Sequence, residues 1–345
     1  MKAAVILKPG TLSVKEVPEP KINDYQALVE ILACSICNST DEKIIRGKFI
    51  SPLNYPGILG HESVGRVIEV GSKVRNYKIS DLVLRPAAVY LNDKLGEYHS
   101  LFGGFSEFGL VTDYKAEIED RNITEENFTF MHLCQQSIPL DFDPIDSTMI
   151  VMFREILDWL NKFGINNKTK LVILGSGPVG MSMVSFSKLL GAYPVIMVGR
   201  RDERLKIAID LGADFTINNT KESVQNKVSE YTGGSGATHI IEAIGDYNLI
   251  NEAFGYLKKN GKIGIYGLNS PQINLKWEKA PPSWSLNYIE YDVRDSHQQV
   301  VDSIKLGYIN PKKFYSHIID LENINFGLDL IRQKKTLKIV IKIKK

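Results

Sequence analysis

Residues 171–180 read LVILGSGPVG, and this stretch constrains the fold more than any other part of the chain. A short apolar run rich in β-branched residues meets three glycines spaced G-x-G-x-x-G, after which a helical pattern continues to residue 190. That order is typical of a strand, a tight turn and a helix N-terminus that binds a dinucleotide. Gly175 would permit the turn, Gly177 would leave room for a pyrophosphate, and Gly180 would let the helix pack closely. The residues expected to contact the cofactor are Gly175, Ser176, Gly177, Pro178, Val179 and Gly180. The alternative is a glycine turn with a structural role only.

The two halves of the chain differ in their patterns. Residues 1–111 contain short alternating runs punctuated by glycine and proline, which indicates a β-rich, barrel-like domain. From residue 170 onward strand and helix patterns alternate, which predicts a parallel, doubly wound sheet. An amphipathic helix over 146–163 separates the two patterns, and a final strand over 337–343 is expected to return to the first domain. We therefore predict an α/β protein with a catalytic domain at 1–150, completed by 290–345, and a cofactor domain at 151–289.

Composition excludes several classes of function. The 345 residues are 43% hydrophobic and 24% charged, and a net charge of +2 gives no reason to expect nucleic acid or an acidic membrane as a partner. No apolar stretch approaches the length of a membrane span, and the N-terminal apolar run is too short for a signal peptide. Three cysteines do not make a disulfide framework, which fits a reducing compartment, so a cytoplasmic location is expected.

Two motifs in the first domain carry residues suited to metal chemistry. The first is CSICNSTD at 34–41, and the second is GHESVG at 60–65. Cys37 and His61 offer a thiolate and an imidazole on separate loops, which are good zinc ligands. The hydroxyl of Ser39, two residues after Cys37, could pass a proton between substrate and solvent. Taken singly, Cys37 could be a small buried hydrophobe and His61 a core histidine; the dinucleotide motif downstream favours the metal.

The order of these motifs resembles the medium-chain dehydrogenase/reductase superfamily, the zinc-dependent alcohol, polyol and sugar dehydrogenases. The matching residues are Cys37 with Ser39, Thr40 and Asp41; the sequence GHE at 60–62 with Gly65 and Gly71; GGFSEF at 103–108; the glycine turn at 175–180; Leu205 with LGAD at 211–214; and GKIGIYGL at 261–268. This resemblance implies a GroES-like barrel for the catalytic domain and a Rossmann fold for the cofactor domain.

The resemblance also implies roles for individual residues. Cys37 and His61 would be metal ligands, and Glu62 would lie beside the metal, either as a ligand or as its support. Ser39 would be the proton-relay hydroxyl, and Lys338 would place a cation near Glu62 and the cofactor pyrophosphate. Zinc would act as a Lewis acid that stabilises an alkoxide, whose carbon gives a hydride to the nicotinamide.

The chain departs from the superfamily pattern in three places. Relatives with a structural zinc carry four cysteines in the region of 88–103, where this chain has none, so one catalytic zinc and no structural zinc are expected. The usual third metal ligand falls on Val151; Glu155, one helical turn later, could face the same way or be an ordinary solvated glutamate. Glu62 or water would then complete the coordination. Ser39 and Thr40 stand where relatives have one hydroxyl residue, and spacing favours Ser39.

The turn after the second strand of the cofactor domain bears on the choice of nicotinamide. NAD-specific sites place a carboxylate there, whereas this chain has Gly199 followed by Arg200 and Arg201. Two guanidinium groups can grip a 2′-phosphate, so NADP is expected, with NAD still possible. This turn also resembles that of microbial NADP-using glucose dehydrogenases. The alternative is a solvated arginine pair at a helix start, with Asp202 as the N-cap.

These observations predict an NADP-dependent, zinc-dependent dehydrogenase of a secondary alcohol, polyol or sugar hydroxyl. A zinc-free NADPH-dependent reductase of the same superfamily and a catalytically silent nucleotide-binding protein stay as alternatives. A small alcohol or sugar is the expected substrate, and a homodimer or homotetramer the expected assembly. Trp277 and Trp284 fall where relatives form a dimer edge, although they could equally be core residues.

Overall fold

A computed structural model of the chain describes residues 1–49, 51–267 and 274–344. The chain divides into two units, the first made of Met1–Met152 and Asn310–Lys345 and the second of Phe153–Ile309. No helix within the described ranges has both the length and the apolar character that crossing a bilayer requires.

The first unit is built on two β-sheets, as its short alternating runs predict. Its strands, numbered along the whole chain, are β1 (Lys2–Lys8), β2 (Thr11–Glu16), β3 (Gln26–Ile36), β4 (Gly57–Leu59), β5 (Glu62–Val70), β6 (Leu82–Leu84), β7 (Lys94–Leu95), β8 (Tyr98–Leu101), β9 (Phe108–Thr112), β10 (Ser137–Ile138), β17 (His317–Asp320) and β18 (Ile339–Lys342). Its helices are α1 (Thr40–Ile45), α2 (Tyr114–Arg121), α3 (Phe130–Leu133) and α10 (Ile324–Arg332), with short 3₁₀ turns at Glu125–Asn127, Pro311–Lys313 and Leu321–Asn323.

The strand pairing of this unit determines which loops meet. One sheet has the order β2-β1-β4-β8-β7, and the other has the order β10-β6-β5-β3-β18-β17, with β9 also paired to β3. Strand β3 runs antiparallel to both β5 and β18, so the last residues of β3 lie beside the first residues of its two neighbours. Buried aliphatic side chains of β3 and β18 form part of the core between this sheet and α10.

The second unit contains the predicted parallel sheet. Its strands are β11 (Leu171–Leu174), β12 (Val195–Gly199), β13 (Phe215–Asn218), β14 (Ala237–Glu242), β15 (Leu257–Ile265) and β16 (Ser285–Tyr288), all paired in parallel in the order β13-β12-β11-β14-β15-β16. Its helices are α5 (Pro178–Leu189), α6 (Asp202–Asp210), α7 (Val224–Tyr231), α8 (Asn248–Ala253) and α9 (His297–Lys305), with a 3₁₀ turn at Trp277–Lys279. This strand order is that of the Rossmann fold, which confirms the predicted class.

The domain limits differ from those predicted. Helix α4 (Pro144–Phe163) contains the first boundary, which falls after Met152 rather than after residue 150. The return to the first unit begins at Asn310, so residues 290–309, assigned to the catalytic domain from the sequence, belong to the second unit. Hydrogen bonds explain the difference, because the Asp292 amide donates to the Asp158 carboxylate at 2.8 Å and the Ser296 hydroxyl donates to the Arg154 carbonyl at 2.6 Å.

Candidate active site

Three strand ends in the first unit gather the residues of the candidate metal site. Cys37 directly follows β3, His61 directly precedes β5, and Lys338 directly precedes β18. The register pairs Ser35 with Glu62 across β3 and β5, and Ile36 with Ile339 across β3 and β18. Antiparallel pairing therefore places the two sequence motifs and the C-terminal lysine at one edge of one sheet.

Cys37, His61 and Glu62 form a group of candidate metal donors. One ligand atom from each residue lies within 4.8 Å of the others, and Glu62 is buried while the other two are half-buried. Although burial opposes ionisation, the hydrogen bond and positive charge of His61 hold the pKa of the Cys37 thiol below its usual value. Burial likewise opposes protonation of His61, but Asp41 and Cys37 raise the pKa of its imidazole well above the usual value. The thiolate form of Cys37, which binds metals, is thus more accessible than in an ordinary cysteine.

Asp41 orients both of the residues expected to bind metal. Its carboxylate is fully buried; one oxygen accepts the Cys37 backbone N–H at 2.9 Å and the other lies 3.1 Å from His61 Nδ1. The Nδ1 contact is an ion pair at hydrogen-bond distance without hydrogen-bond alignment. A histidine held at Nδ1 by a carboxylate keeps Nε2 for a metal, which is the usual arrangement behind zinc ligands. The sequence motif contained Asp41, but no pattern indicated this role.

Glu62 is held by a buried ion pair. Its two carboxylate oxygens lie 2.8 and 2.6 Å from Lys338 Nζ, and the Ser35 hydroxyl donates to the second of them. Burial alone would raise the pKa of Glu62, but the charges of Lys338 and His61 lower it. Burial would lower the pKa of Lys338, and the Glu62 carboxylate raises it instead. Each charge therefore keeps the other ionised inside the unit.

The other residues predicted for this site lie outside the group of candidate metal donors. Ser39 is exposed at the start of α1, where its side chain caps no backbone group, and Thr40 is half-buried. An exposed hydroxyl beside Cys37 is placed to exchange protons with solvent, so the relay role of Ser39 stays a prediction. Val151 is an apolar, buried residue of α4 and supplies no ligand. Glu155 belongs to the second unit.

A pocket of the first unit opens beside His61. It is lined by His61, Ser63, Arg85, Phe102, Met131 and Cys134. The ring of Phe102 lies 5.4 Å from that of His61, centre to centre, and 6.2 Å from that of Phe49, so it forms an aromatic wall. Arg85, Met131 and this pocket were missed in the sequence, because no spacing rule connects them to the two motifs.

The three glycines of the turn in the second unit differ in the space around them. Gly175 has φ +123°, and a Cβ there would lie 2.7 Å from the Ile244 side chain. A Cβ on Gly180 would lie 1.9 Å from the Gly175 carbonyl oxygen, so the start of α5 touches the turn itself. A Cβ on Gly177 would meet nothing within 4 Å. Packing therefore requires Gly175 and Gly180, whereas the space beside Gly177 is open at the N-terminus of a helix that Pro178 begins.

Arginines surround the end of β12. Gly199 is buried against Ser176, whose hydroxyl oxygen would lie 2.6 Å from a Cβ at this position. Arg200 is exposed, Arg201 is half-buried, and Arg204, one turn into α6, is buried. Burial and the neighbouring charge of Arg201 lower the pKa of the Arg204 guanidinium. The sequence predicted Arg200 and Arg201 as candidate 2′-phosphate ligands but not Arg204. Arg204 lies near Arg201 because one helical turn separates them.

The predicted dimer edge has mixed features. Trp277 is 73% exposed, whereas the ring of Trp284 packs edge-on against Phe254 at 4.8 Å. Strand β16 is the last strand in the described order of the sheet, with Tyr288 exposed at its end. Oligomeric state stays a prediction. Leu268, the last residue of the 261–268 motif, lies outside the described residues.

Comparison with known proteins agrees with this two-unit organisation. The model of the alcohol dehydrogenase GroES-like domain matches residues 23–118, and that of the zinc-binding dehydrogenase family matches residues 178–290. An L-threonine 3-dehydrogenase from Symbiobacterium thermophilum is 30% identical over 277 residues, covering 77% of this chain and 74% of that protein. An alcohol dehydrogenase from Cupriavidus necator is 25% identical over 366 residues, covering 99% of this chain and 98% of that protein.

Among solved structures, an alcohol dehydrogenase from Thermotoga maritima superposes with a TM-score of 0.83 at 24% identity, covering 99% of both chains. Two family models in the expected order, a 30% identical relative and a shared fold over nearly the whole length all agree with the motif-based assignment. The chain belongs to the zinc-dependent medium-chain dehydrogenase/reductase superfamily and is an oxidoreductase of its alcohol dehydrogenase type.

Proposed function

We propose that the protein is an NADP-linked dehydrogenase that uses zinc to oxidise a secondary alcohol, a polyol or a sugar hydroxyl, or to run the reverse reaction. The observation that carries this proposal is the group of Cys37, His61 and Glu62, whose donor atoms lie within 4.8 Å of one another. Sulfur, nitrogen and oxygen donors at this spacing suit a catalytic zinc that keeps an open position.

The residues around the donor group fit this metal. Asp41 contacts both Cys37 and His61 and leaves Nε2 of the imidazole for a ligand. Glu62 offers the third donor, and Lys338, which contacts both of its carboxylate oxygens, balances its charge. Zinc bound there would supply a Lewis acid that makes the substrate hydroxyl easier to deprotonate.

The chain's own residues account for the proton. The hydroxyl proton leaves through Ser39, which is exposed two residues after Cys37, and passes to solvent. A nicotinamide cofactor held at the glycine turn around Gly177 would supply the hydride acceptor. Oxidation of the hydroxyl would then give a ketone or aldehyde, the reduced nicotinamide and one proton, with no other reagent needed.

NADP is supported by the second unit. The open space at Gly177 lies at the N-terminus of α5, where backbone N–H groups can receive a pyrophosphate. Gly199 carries no carboxylate that would repel a 2′-phosphate, and Arg200, Arg201 and Arg204 supply positive charge after β12. Two acids, Asp202 and Glu203, lie between Arg201 and Arg204. Asp202 is engaged by Asn218 and Lys221, and the charge of Glu203 acts on Arg204. Lys338 is assigned to the pyrophosphate side of the site by resemblance, and its contact with Glu62 is compatible with that role.

The decisive experiment measures metal content and cofactor use together. The purified protein is assayed with NADP and with NAD over simple alcohols, polyols and aldoses, before and after a chelator, and its zinc is measured by emission spectroscopy. We expect about one zinc per chain, loss of turnover on chelation, and a higher kcat/KM with NADP.

Two cysteine variants test the site directly. Cys37→Ser should lose both zinc and activity, whereas Cys134→Ser, a buried cysteine outside the donor group, should retain zinc. Full activity of a zinc-free protein would instead favour the reductase alternative. NADPH binding without turnover of any alcohol would favour a silent nucleotide-binding protein.

A further inference from the structure

Phe102 has a strained backbone that the reaction described above does not explain. Its φ is +76°, in the left-handed region that glycine adopts freely and a bulky side chain does not. The turn is fixed on both sides, because the Phe102 amide donates to the Ser100 hydroxyl at 3.2 Å and the Gly103 amide donates to the Ile58 carbonyl at 3.0 Å. Backbone strain of this kind is concentrated at binding and catalytic sites, so the Phe102 side chain is a candidate for a function.

The Phe102 ring lies beside the candidate donor group. Its centre is 5.4 Å from that of the His61 imidazole and 6.2 Å from that of the Phe49 ring, which it meets edge-on. Phe102 directly follows β8 and Phe49 follows α1, so two separate segments supply the rings. Both phenylalanines are half-buried, so part of each stays open to solvent. Phe49 and Phe102 thus form an aromatic wall next to the imidazole that is expected to bind zinc.

The cavity that Phe102 helps to line is too small for an alcohol. It has room for about one water molecule. The Ser63 hydroxyl in its lining already donates to the Pro86 carbonyl at 2.7 Å. The Arg85 guanidinium, also in the lining, packs on the Phe130 ring at 4.7 Å from its centre. Protein side chains therefore close this space, and a substrate at the donor group would meet the partly exposed aromatic wall instead.

The chemistry of the aromatic wall determines which substituents it can accept. An alcohol held at the donor group by its oxygen places its carbon substituents near His61, within reach of the Phe102 ring. An alkyl or aryl group packed against this ring leaves water, which is favourable. A hydroxyl in the same place would lose its hydrogen bonds to water, because a phenylalanine ring offers no equal partner in return. The wall therefore favours an apolar substituent.

We propose that Phe102, together with Phe49, is a specificity-determining residue that selects an apolar substituent on the alcohol reacting at Cys37 and His61. The inference rests on the proposed dehydrogenase function and narrows its substrate class to secondary alcohols with an alkyl or aryl substituent, in preference to polyols and sugars. The strained turn holds the Phe102 ring beside His61, where glycine would leave the space open to water.

The test compares matched pairs of alcohols in which a hydroxyl replaces one methyl group. The first pair is 2-butanol and 1,2-propanediol, and the second is 2-pentanol and 1,3-butanediol. Oxidation at the secondary carbon is followed by quantifying the ketone product. The wild-type enzyme should favour the apolar member of each pair by at least about tenfold in kcat/KM. Equal rates within the pairs, or a preference for the diols, would overturn the inference.

Variants at Phe102 remove the ring without adding strain. Phe102→Asn and Phe102→Gly both suit a positive φ, and each should reduce the preference to less than about twofold while zinc content stays unchanged. Phe102→Leu keeps an apolar side chain and should keep most of the preference. Phe326→Asn is the matched control, since Phe326 is a 58% exposed phenylalanine on α10 of the same unit, and it should leave the preference as it is. Circular dichroism establishes folding; a wild-type preference in folded Phe102→Asn or Phe102→Gly would contradict the assignment.

A binding measurement separates this inference from the proposed function. Saturation-transfer NMR of 2-pentanol and 1,3-butanediol, without nicotinamide, should show tighter binding of 2-pentanol to the wild type and loss of that difference in Phe102→Asn. If no alcohol is oxidised but this difference is measured, the apolar site stands and the dehydrogenase proposal fails. Where alcohols are oxidised and neither the rates nor the binding depend on Phe102, the Phe102 inference fails alone. With neither oxidation nor a difference in binding, both fail.

Discussion

The candidate donor residues of the first unit are side chains fixed by buried charges, whereas the glycine turn of the second unit is fixed by backbone packing. Glu62 and Lys338 are 276 residues apart in sequence and meet only because β18 pairs with β3. Gly175 and Gly180 meet within one turn, and their geometry depends on missing side chains. Electrostatic support is therefore concentrated in one unit and steric support in the other, and substitutions should affect the two sites differently.

The largest effect is expected from breaking the buried ion pair. Lys338→Met leaves the Glu62 carboxylate buried without its cation, which should lower the free energy of unfolding by about 3–5 kcal/mol. Lys2→Met is the control, because Lys2 and Glu322 lie 2.7 Å apart but are 47% and 49% exposed. That pair should contribute far less to stability, because solvent screens exposed charges. Urea unfolding of the metal-free protein measures both; equal losses would mean that burial does not distinguish the two pairs.

A second comparison lies within the glycine turn. In Gly180→Ala the new Cβ would lie 1.9 Å from a backbone oxygen that cannot rotate away, so we expect a loss of about 3 kcal/mol in stability. In Gly177→Ala the Cβ enters open space, and stability should stay within about 0.5 kcal/mol. The Gly177 variant should nevertheless bind NADPH about tenfold more weakly, because its methyl group occupies the pyrophosphate position. Thermal unfolding and NADPH fluorescence titration give the two readouts. Unchanged NADPH affinity in Gly177→Ala would remove the turn as the cofactor site.

The support of the donor group by Asp41 can be tested through metal affinity. Asp41→Asn should weaken zinc binding about 10–100-fold, because loss of the carboxylate removes the partner of His61 Nδ1. Glu42→Gln is the control, since Glu42 is next in the sequence but pairs with Arg46 and Arg332 at the surface. Competition with a zinc chelator measures both affinities. A similar loss in both variants would show a general effect of charge near α1 instead of a specific contact.

The smallest effect concerns pH and the second unit. Burial, together with the charge of Lys262, lowers the pKa of His239 to about 4. Between this pH and the usual pKa of about 6.5, His239 is protonated in the unfolded chain but neutral in the folded chain. The contribution of His239 to the free energy of unfolding is therefore fully present above about pH 6.5 and is lost as the pH falls toward 4. After allowance for partial exposure, the loss is about 2 kcal/mol. His239→Gln should flatten this part of the stability profile, and His99→Gln, a half-buried histidine of the first unit, should leave it intact. A profile that stays as steep without His239 would assign the loss to other groups.

Patterns in consecutive residues were enough to predict some elements of the fold. The strand–turn–helix at 171–190 and the alternation after it predicted the parallel sheet, because strand and helix periodicities are recorded in consecutive residues. The motifs around Cys37 and His61 predicted candidate donors from their residue types, and the superfamily resemblance added Glu62; that these residues bind a metal stays a prediction. The end of the second unit at Ile309 was placed wrongly at 289, because hydrogen bonds of Asp292 and Ser296 to α4 leave no trace in local periodicity.

What the sequence by itself determined is the residue types and their local geometry: a glycine turn before a helix, a cysteine and a histidine on loops, and a superfamily motif order. The tertiary structure decided which side chains share one site. Pairing of β3 with β5 and β18 brought Asp41, Glu62 and Lys338 around Cys37 and His61, and the end of β6 brought Arg85 to the pocket wall. Sequence periodicity cannot contain this information, because strand partners are chosen by the packing of the whole sheet and buried charges are paired only once the chain has folded.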